Sequence, residues 1–405
     1  MIFDLFNELQ MPQPWAAGHE SLVFANALEQ AALADELGYG CWWSVEHHCA
    51  PEFSYSSAPE LMNAAISQRT ERIRIGHAGV LSPFKINHPL RVAERAAVLD
   101  QLSGGRVELG LARSGGGEWT TFGIDPEGTL EELEEAARLM VTAWTQPEFS
   151  WSSDRLEIPT RTLVPKPVQV PHPPLWQTVS TPGSFRLAGE LGLGILCTTL
   201  LSPTSVLETM LAEYEAGLVA STDPVGSFVN AQRAVFTFVF CAESRDEAIA
   251  SRAAESALWY VNAAPRVFAV PRTVWTNVIR GNVDAGAVGR ARTLPARTGA
   301  VDASKVLVDL DPDDPNPIIR LMNRQVLGHE IDPLEAYEAL EDQDSVIIGD
   351  VDTCRRKIEK FAAVGFDRLM CLMQFGHLPH DAVLGSIRRV GEILIPEHAS
   401  TGAAR

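Results

Sequence analysis

Residues 72–112, RIRIGHAGVLSPFKINHPLRVAERAAVLDQLSGGRVELGLA, contain the alternation that decides the fold. The short apolar run at 72–81 predicts a buried strand. Residues 88–102 follow with apolar side chains at helical spacing, and a Ser-Gly-Gly turn ends that helix. A second apolar run at 106–112 predicts the next strand. A strand, a helix and a strand in succession are typical of a parallel β-sheet.

The same alternation continues on both sides of this stretch. Eight such units predict a (β/α)8 TIM barrel with insertions, and an open, doubly wound sheet is the alternative. Neither a GxGxxG motif after the first strand nor a GxxxxGK[ST] motif occurs, which favours the barrel. The predicted strands are 2–6, 39–46, 72–81, 106–112, 175–180, 194–199, 233–241 and 368–374.

We expect residues 1–405 to form one barrel unit, because barrels of this kind tolerate long insertions. Residues 262–330 interrupt the alternation with many Pro, Gly and Asp residues, which predicts an inserted excursion. Such an excursion is either a mobile lid over a site or a decoration without function, and the sequence allows both.

Composition restricts the partners and the compartment. The 33 basic and 52 acidic side chains give a formal net charge of −19, a poor match for nucleic acid. Six cysteines without a CxxC pair predict reduced thiols in a cytoplasmic protein. We expect no signal peptide and no membrane segment, because the apolar runs are too short. No metal site is expected, since no second ligand pair has metal spacing.

The active site of a barrel lies where its strands end, so the residues after each run are candidates. Glu46, His47 and His48 end the second strand. Alternation along a strand places His47 on one face and its two neighbours on the other, so one imidazole faces the barrel mouth as a general acid or base. The alternatives are two solvated imidazoles and a zinc site with the nearby Cys41 and Cys49.

Two later strand ends have the composition of phosphate-binding loops. Arg113 precedes Ser114 and three glycines, which let the backbone approach a ligand closely while the arginine holds a phosphate. Residues 180–184, Ser-Thr-Pro-Gly-Ser, combine hydroxyl groups with a helix start, where free N–H groups bind anions. The alternatives are a flexible loop with a solvated arginine and plain helix capping by Thr181. The two loops together favour a ligand that carries a phosphate.

Five motifs in this order and spacing resemble the luciferase-like flavin monooxygenase family. The similarity covers nearly the whole chain and is weakest over 262–330. It implies a (β/α)8 barrel that uses reduced FMN and dioxygen. The motifs are WSVEHH at 43–48, GHAG at 76–79, HPLRVAE at 88–94, LDQLSGGR at 99–106 and GLAR at 110–113.

The resemblance also implies roles for individual residues. His47 is the expected catalytic acid or base. The phosphate of FMN is expected at Arg113, Thr181 and Ser184, and the Ala78–Gly79 bond matches a non-proline cis peptide under the flavin ring. The expected cofactor contacts are Asn7, Ala78, Gly79, Arg113, Ser180, Thr181 and Ser184.

Two positions depart from luciferase itself, which has a reactive cysteine where Ala112 stands and a pocket tryptophan where Thr199 aligns. We therefore expect hydroxylation or oxidative cleavage of a small organic substrate without light. No nicotinamide-binding domain is visible, so a separate flavin reductase is the expected source of reduced FMN. The resemblance further implies a homodimer.

Two rival functions stay open at this level. Related barrels transfer hydride with a deazaflavin cofactor, which does not activate dioxygen. A non-catalytic flavin-binding partner subunit is the other rival, and the retention of His47 and Arg113 argues against it.

Overall fold

The computed structural model describes residues 1–113, 115–198, 201–281 and 310–402, with side chains described through residue 399. Ser114, Thr199 and residues 282–309, the middle of the predicted excursion, lie outside these ranges. None of the helices in the described ranges combines the length and the apolar character needed to cross a bilayer.

Eight parallel strands close into a barrel, which confirms the predicted (β/α)8 TIM barrel. Around the ring the order is β1-β2-β3-β4-β7-β8-β9-β11, and β11 pairs with β1 to complete it. Each of the eight strands falls on one of the predicted runs. They are β1 Ile2–Asn7, β2 Cys41–Ser44, β3 Arg74–Leu81, β4 Val107–Ala112, β7 Leu175–Val179, β8 Gly194–Thr198, β9 Arg233–Ala242 and β11 Arg368–Leu372.

Three further strands of the described chain lie outside the ring, and the sequence did not predict them. β10 (Val346–Asp350) pairs with the second half of β9. β5 (Phe149–Ser152) and β6 (Glu157–Arg161) form an antiparallel pair in the connection before β7. Periodicity missed β10 because only three apolar residues precede Gly349, too few to distinguish a strand from the start of the following helix.

Helices surround the barrel, and the predicted excursion at 262–330 is itself partly helical. The helices are α1 His19–Leu37, α2 Pro59–Ser67, α3 Pro89–Ser103, α4 Gly116–Phe122, α5 Thr129–Thr145, α6 Pro182–Glu190, α7 Thr204–Ala220, α8 Arg245–Ala250, α9 Ala253–Val267, α10 Arg272–Ile279, α11 Pro317–Val326, α12 Pro333–Glu341, α13 Val351–Val364, α14 His380–Arg389 and α15 Ile395–Gly402. A π-helical turn at Val390–Leu394 joins the last two.

Helix α3 shows how local sequence sets the limits of a helix. The His88 side chain accepts a hydrogen bond from the Leu90 N–H at 3.2 Å, and Pro89 occupies the first turn, where its missing N–H has no cost. Gly104 ends the helix with a φ of 67°, a left-handed conformation that glycine adopts without a Cβ penalty. The helix matches the predicted 88–102 within one residue.

Large side chains fill the interior of the barrel near the amino ends of its strands. The indole N–H of Trp43 donates to Asp4 at 2.9 Å, and that of Trp176 donates to Glu108 at 2.7 Å. The two indole rings meet edge to face, with centroids 5.4 Å apart. Gly76 makes room for this layer, because a Cβ there would overlap the Trp43 ring. This layer of side chains lies below the site, on the side of the amino ends of the strands.

Candidate active site

A cavity of about 190 Å³ lies at the carboxyl ends of the barrel strands, where barrels place their active sites. Segments at the ends of all eight barrel strands form its walls together with α4, α6 and α9. Asn7, one of the predicted site residues, does not line the cavity. The predicted residues that do are His47, Ala78, Gly79, Arg113, Ser180, Thr181 and Ser184.

The expected cofactor contact of Asn7 needs correction, because its side chain points away from the cavity. Asn7 Nδ2 donates to Gln30 Oε1 on α1 at 3.3 Å, and Asn7 Oδ1 accepts from the Leu9 N–H at 2.7 Å. Side chains alternate along a strand, so its neighbour Phe6 faces the barrel interior instead. Phe6 and Glu8 are the residues by which this strand end lines the cavity.

Arg113 brings a half-buried positive charge to one end of the cavity. Its Nε and Nη2 donate to Thr129 Oγ1 at 3.0 and 2.8 Å, and Nη2 also donates to the Pro126 carbonyl at 3.3 Å. Burial lowers the pKa of Arg113. No carboxylate in the described residues lies within ion-pair distance of this guanidinium, so its neighbours orient the charge without neutralising it. An anionic ligand group would complete the site.

The amino end of α6 lies at the same cavity. Thr181 caps the helix: its Oγ1 accepts from the Ser184 N–H at 3.2 Å, and Ser184 Oγ accepts from the Thr181 N–H at 3.0 Å. The Ser180 N–H also donates to Ser184 Oγ, at 3.1 Å. The capping interpretation is therefore confirmed, and it is compatible with ligand binding, because all three residues also line the cavity.

A distorted part of β3 forms another wall. The register with β4 shifts between His77 and Val80, and the Ala78–Gly79 peptide bond between them is cis. Glu46 fixes this segment, since its Oε2 accepts the Leu81 N–H at 2.8 Å. Gly79 tolerates no side chain, because a Cβ would come within 2.7 Å of the Gly110 backbone on β4. At Gly79 the wall beside the cavity consequently has no side chain.

The structure distinguishes between the two adjacent histidines. β2 ends at Ser44, so the predicted alternation through residues 45–48 does not apply: Glu46 and His47 both line the cavity. His48 lies beside a second cavity instead, and its Nε2 is 3.1 Å from Glu46 Oε1. The hydrogen bond with Glu46 raises the pKa of His48. His47 is thus the imidazole that can act on a ligand.

Glu118 on α4 is a site residue that the sequence analysis missed. Its Oε1 lies 2.9 Å from His47 Nδ1, and it lines the same cavity. Of the three glycines before Glu118, Gly115 lines the cavity, while Gly116 and Gly117 serve packing. A Cβ on Gly116 would come within 2.6 Å of the Phe268 carbonyl, so close packing of α4 against the end of α9 requires glycine there. The signal for Glu118 was its place in the strand-end segment that carries Arg113.

Aromatic rings surround the histidine end of the cavity. The His47 ring meets those of Phe53 and Phe268 edge to face, with centroids 5.8 and 5.7 Å apart. Tyr260 on α9 packs on Phe53 at 4.9 Å, and its hydroxyl donates to Glu8 Oε1 at 2.8 Å. Sequence reasoning missed these residues, because α9 and the segment after it reach the site only through the tertiary fold. Aromatic side chains thus make up much of the surface beside His47.

Two buried polar atoms of lining residues, Gln177 Oε1 and Thr198 Oγ1, have no hydrogen-bond partner in the described structure. Buried polar groups are normally satisfied, so these atoms are suited to a bound polar ligand. Within the described ranges, no group of three or more His, Cys, Asp or Glu side chains is arranged to hold a metal ion.

A parallel (β/α)8 barrel with an arginine, a capped helix end and an imidazole around one cavity defines the class of protein: a (β/α)8 barrel with a ligand-sized cavity at the carboxyl ends of its strands. The model of the luciferase-like monooxygenase family matches residues 7–368, so this chain belongs to that family.

Curated relatives include named monooxygenases. The chain is 32% identical over 236 residues to 4-hydroxyprotoasukamycin monooxygenase of Streptomyces nodosus subsp. asukaensis, covering 55% of this chain and 60% of that one. It is 27% identical over 197 residues to the oxygenase component of the flavin-dependent trigonelline monooxygenase of Acinetobacter baylyi, covering 48% and 54%. The chain thus spans between half and two thirds of the length of these relatives.

Solved structures share the fold over nearly the whole chain. A monooxygenase of Streptomyces bottropensis superposes with a TM-score of 0.71 at 21% identity, covering 98% of this chain and 100% of that one. The oxygenating constituent of 3,6-diketocamphane monooxygenase of Pseudomonas putida, in complex with FMN, gives 0.69 at 19%, covering 98% of both chains. An F420-dependent secondary alcohol dehydrogenase gives 0.60 at 17%, covering 91% and 92%. At these identities the likeness shows the fold alone.

Proposed function

We propose that this protein is a reduced-FMN-dependent monooxygenase that inserts one oxygen atom of dioxygen into a small organic substrate, without emitting light. One observation carries the proposal: a single cavity is lined by the charge of Arg113, the hydroxyls of Thr181 and Ser184, and the imidazole of His47. The family and the named activities of the relatives support it.

The residues present fit the phosphate of FMN. The half-buried Arg113 guanidinium has no carboxylate partner among the described residues, and the hydroxyls of Thr181 and Ser184 lie at the amino end of α6. Arg113 would offset the phosphate charge, while the hydroxyl groups at the helix end would offer hydrogen bonds to it. The small residues Ala78 and Gly79 would leave room for a flat ring. Reduced FMN, when bound, supplies the electrons that activate dioxygen.

His47 would exchange the proton that the reaction requires. The rings of Phe53 and Phe268 pack around its imidazole and limit the access of water. Exclusion of water protects reactive species from side reactions and strengthens the electrostatic interactions of the site. The same aromatic surroundings support a substrate that is small and largely apolar.

We further propose that reduced FMN comes from a separate flavin reductase. The relative from Acinetobacter baylyi is named an oxygenase component, which supports a two-component arrangement. Such an arrangement requires the oxygenase to bind reduced FMN and to confine its reaction with dioxygen to the site.

Anaerobic mixing with reduced FMN, followed by an oxygen pulse in a stopped-flow spectrometer, tests this function. We expect the bound reduced flavin to reoxidise more slowly than free flavin, and ¹⁸O from ¹⁸O₂ to appear in the product of an apolar substrate. Reoxidation at the rate of free flavin, or no binding of reduced FMN, would contradict the proposal.

The alternative function is hydride transfer with the deazaflavin F420, which the likeness to the F420-dependent dehydrogenase favours. Parallel titrations with reduced FMN and reduced F420 separate the two. Tighter binding of F420, with reduction of a substrate and no oxygen incorporation, would replace the monooxygenase proposal. Tight binding of another barrel chain, with no turnover, would indicate a non-catalytic partner subunit.

A further inference from the structure

Glu118 and His47 form a carboxylate–imidazole pair in the cavity wall. His47 Nδ1 and Glu118 Oε1 are 2.9 Å apart, although the two residues are 71 positions apart in the sequence. The carboxylate is 5% exposed and the imidazole 13%. The same Glu118 oxygen also accepts the backbone N–H of His48 at 3.1 Å. Two donors on one oxygen fix the direction of the carboxylate.

The carboxylate decides which ring nitrogen of His47 carries the proton. An ionised carboxylate only accepts hydrogen bonds, so the Nδ1 that it contacts has to be the donor. A neutral imidazole has one N–H, which makes Nε2 the nitrogen with a lone pair. When Nε2 takes up a proton from a reacting group, the resulting imidazolium lies 2.9 Å from a compensating negative charge.

The packing of α4 holds Glu118 in this place. The helix begins shortly after Arg113, and Gly116 and Gly117 bring its first turn against the end of α9. A Cβ on Gly117 would lie within 2.8 Å of the Val267 carbonyl. Phe268, just beyond that carbonyl, meets the imidazole of His47 edge to face. The contact between α4 and the end of α9 therefore fixes the positions of both the Glu118 carboxylate and the Phe268 ring beside His47.

We propose that Glu118 is the positioning residue of His47: it keeps a proton on Nδ1 and makes Nε2 the atom that exchanges protons with the ligand. The use of that proton rests on the proposed monooxygenase function. The assignment of the tautomer rests on the geometry of the pair alone, so the two are tested separately.

Nuclear magnetic resonance of the full chain tests the tautomer. Selective ¹⁵N labelling of histidine, with the His47 signals assigned through His47→Gln, reports which ring nitrogen is protonated. We expect Nδ1–H in the wild type and Nε2–H, the form that free imidazole side chains prefer, in Glu118→Ala. The wild-type tautomer in Glu118→Ala would overturn the proposal.

Two further variants separate charge from shape. Glu118→Gln keeps the size of the side chain, and we expect the His47 titration midpoint to fall by about one pH unit, because the compensating charge is lost. Glu118→Asp keeps the charge and should retain most of the wild-type midpoint. Glu127→Gln, an exposed carboxylate in the next loop, is the matched control and should change nothing. Equal midpoints in the wild type and Glu118→Gln would contradict the assignment.

Turnover links the pair to the proposed function. In the reduced-FMN assay we expect Glu118→Gln to lower kcat at least about tenfold and to move the acid limb of the pH profile downwards, with the Kd for FMN unchanged. A wild-type pH profile in an active Glu118→Gln enzyme would refute the positioning role. If the wild type turns over nothing while the tautomer changes as expected, the proposed function fails and the role of Glu118 stands.

Discussion

The guanidinium of Arg368 donates two hydrogen bonds of 2.8 Å to the carboxylate of Asp4, from Nε to Oδ2 and from Nη2 to Oδ1. The residues are 364 positions apart, yet β1 and β11 are neighbours in the barrel. The side chains of Arg368 and Asp4 are 5% and 0% exposed, respectively, and the guanidinium also lies over the Trp176 ring. The pair therefore fastens the first strand to the last beneath the site.

Asp4→Asn should lower the free energy of unfolding by about 3–5 kcal/mol, because it leaves the Arg368 charge buried without compensation. Chemical denaturation followed by circular dichroism measures this change. Asp344→Asn, which breaks the exposed pair with Lys360, is the control and should cost about 0–1 kcal/mol. A loss in Asp4→Asn as small as in the control would show that the buried pair does not stabilise the barrel.

Arg113→Ala should raise the Kd for FMN by about 10- to 100-fold, since hydrogen bonds to a charged group contribute about 1.5–3 kcal/mol each. The Kd for riboflavin, which lacks the phosphate, should stay nearly constant. Fluorescence titration with both flavins measures the difference. Arg186→Ala, on the exposed side of α6, is the matched control. Equal losses for both flavins would remove Arg113 from the phosphate site.

His47→Ala should reduce turnover by about 10²- to 10⁴-fold, the range expected for loss of a general acid or base, while FMN binding is retained. His48→Ala is the comparison, because His48 lies outside the main cavity and should affect turnover far less. Steady-state rates and flavin titrations of the two variants test this. Full activity in His47→Ala would exclude its proposed role.

An exposed apolar surface on α2 and α3 is the candidate interface for a homodimer. Leu61, Val98 and Leu102 are 72%, 44% and 49% exposed on these neighbouring helices. Contact between two such apolar surfaces would remove them from water. We expect a dimer in analytical ultracentrifugation and a monomer for Leu61→Glu combined with Leu102→Glu. Val219→Glu, at an even more exposed site on α7, should leave the dimer intact, and a dimer in all variants would place the interface elsewhere.

The free energy of unfolding should decrease at acidic pH because of the buried His77. Burial lowers the pKa of His77 from 6.5 to about 4. Between these values the unfolded chain binds a proton that the folded chain does not, so stability falls as the pH falls, by about 3 kcal/mol in total. His77→Leu should remove this part of the pH dependence, whereas His329→Leu on the surface should not. Unfolding curves at pH 7.5 and 4.5 measure it, and parallel losses in the wild type and His77→Leu would contradict the assignment.

Local sequence was sufficient where local physics sets the structure. The predicted α3 matches the observed helix because its cap, its first-turn proline and its terminal glycine act on their own backbone. The prediction for β2 ran two residues too far, because nothing local shows that pairing with β3 stops at Ser44. That error led to the wrong orientation for Glu46, which faces the cavity and fixes Leu81 of β3.

The sequence by itself determined the eight-stranded barrel and the strand ends that carry Arg113, Thr181 and the two histidines, since these follow from periodicity and from motifs within short segments. Only the tertiary structure decided that His47 faces the cavity, that Asn7 does not, and that Glu118 completes the site. The physical reason is that the packing of α4 on α9 and the hydrogen bond from His47 to Glu118 join residues far apart in the chain. Such contacts exist only once the barrel has closed.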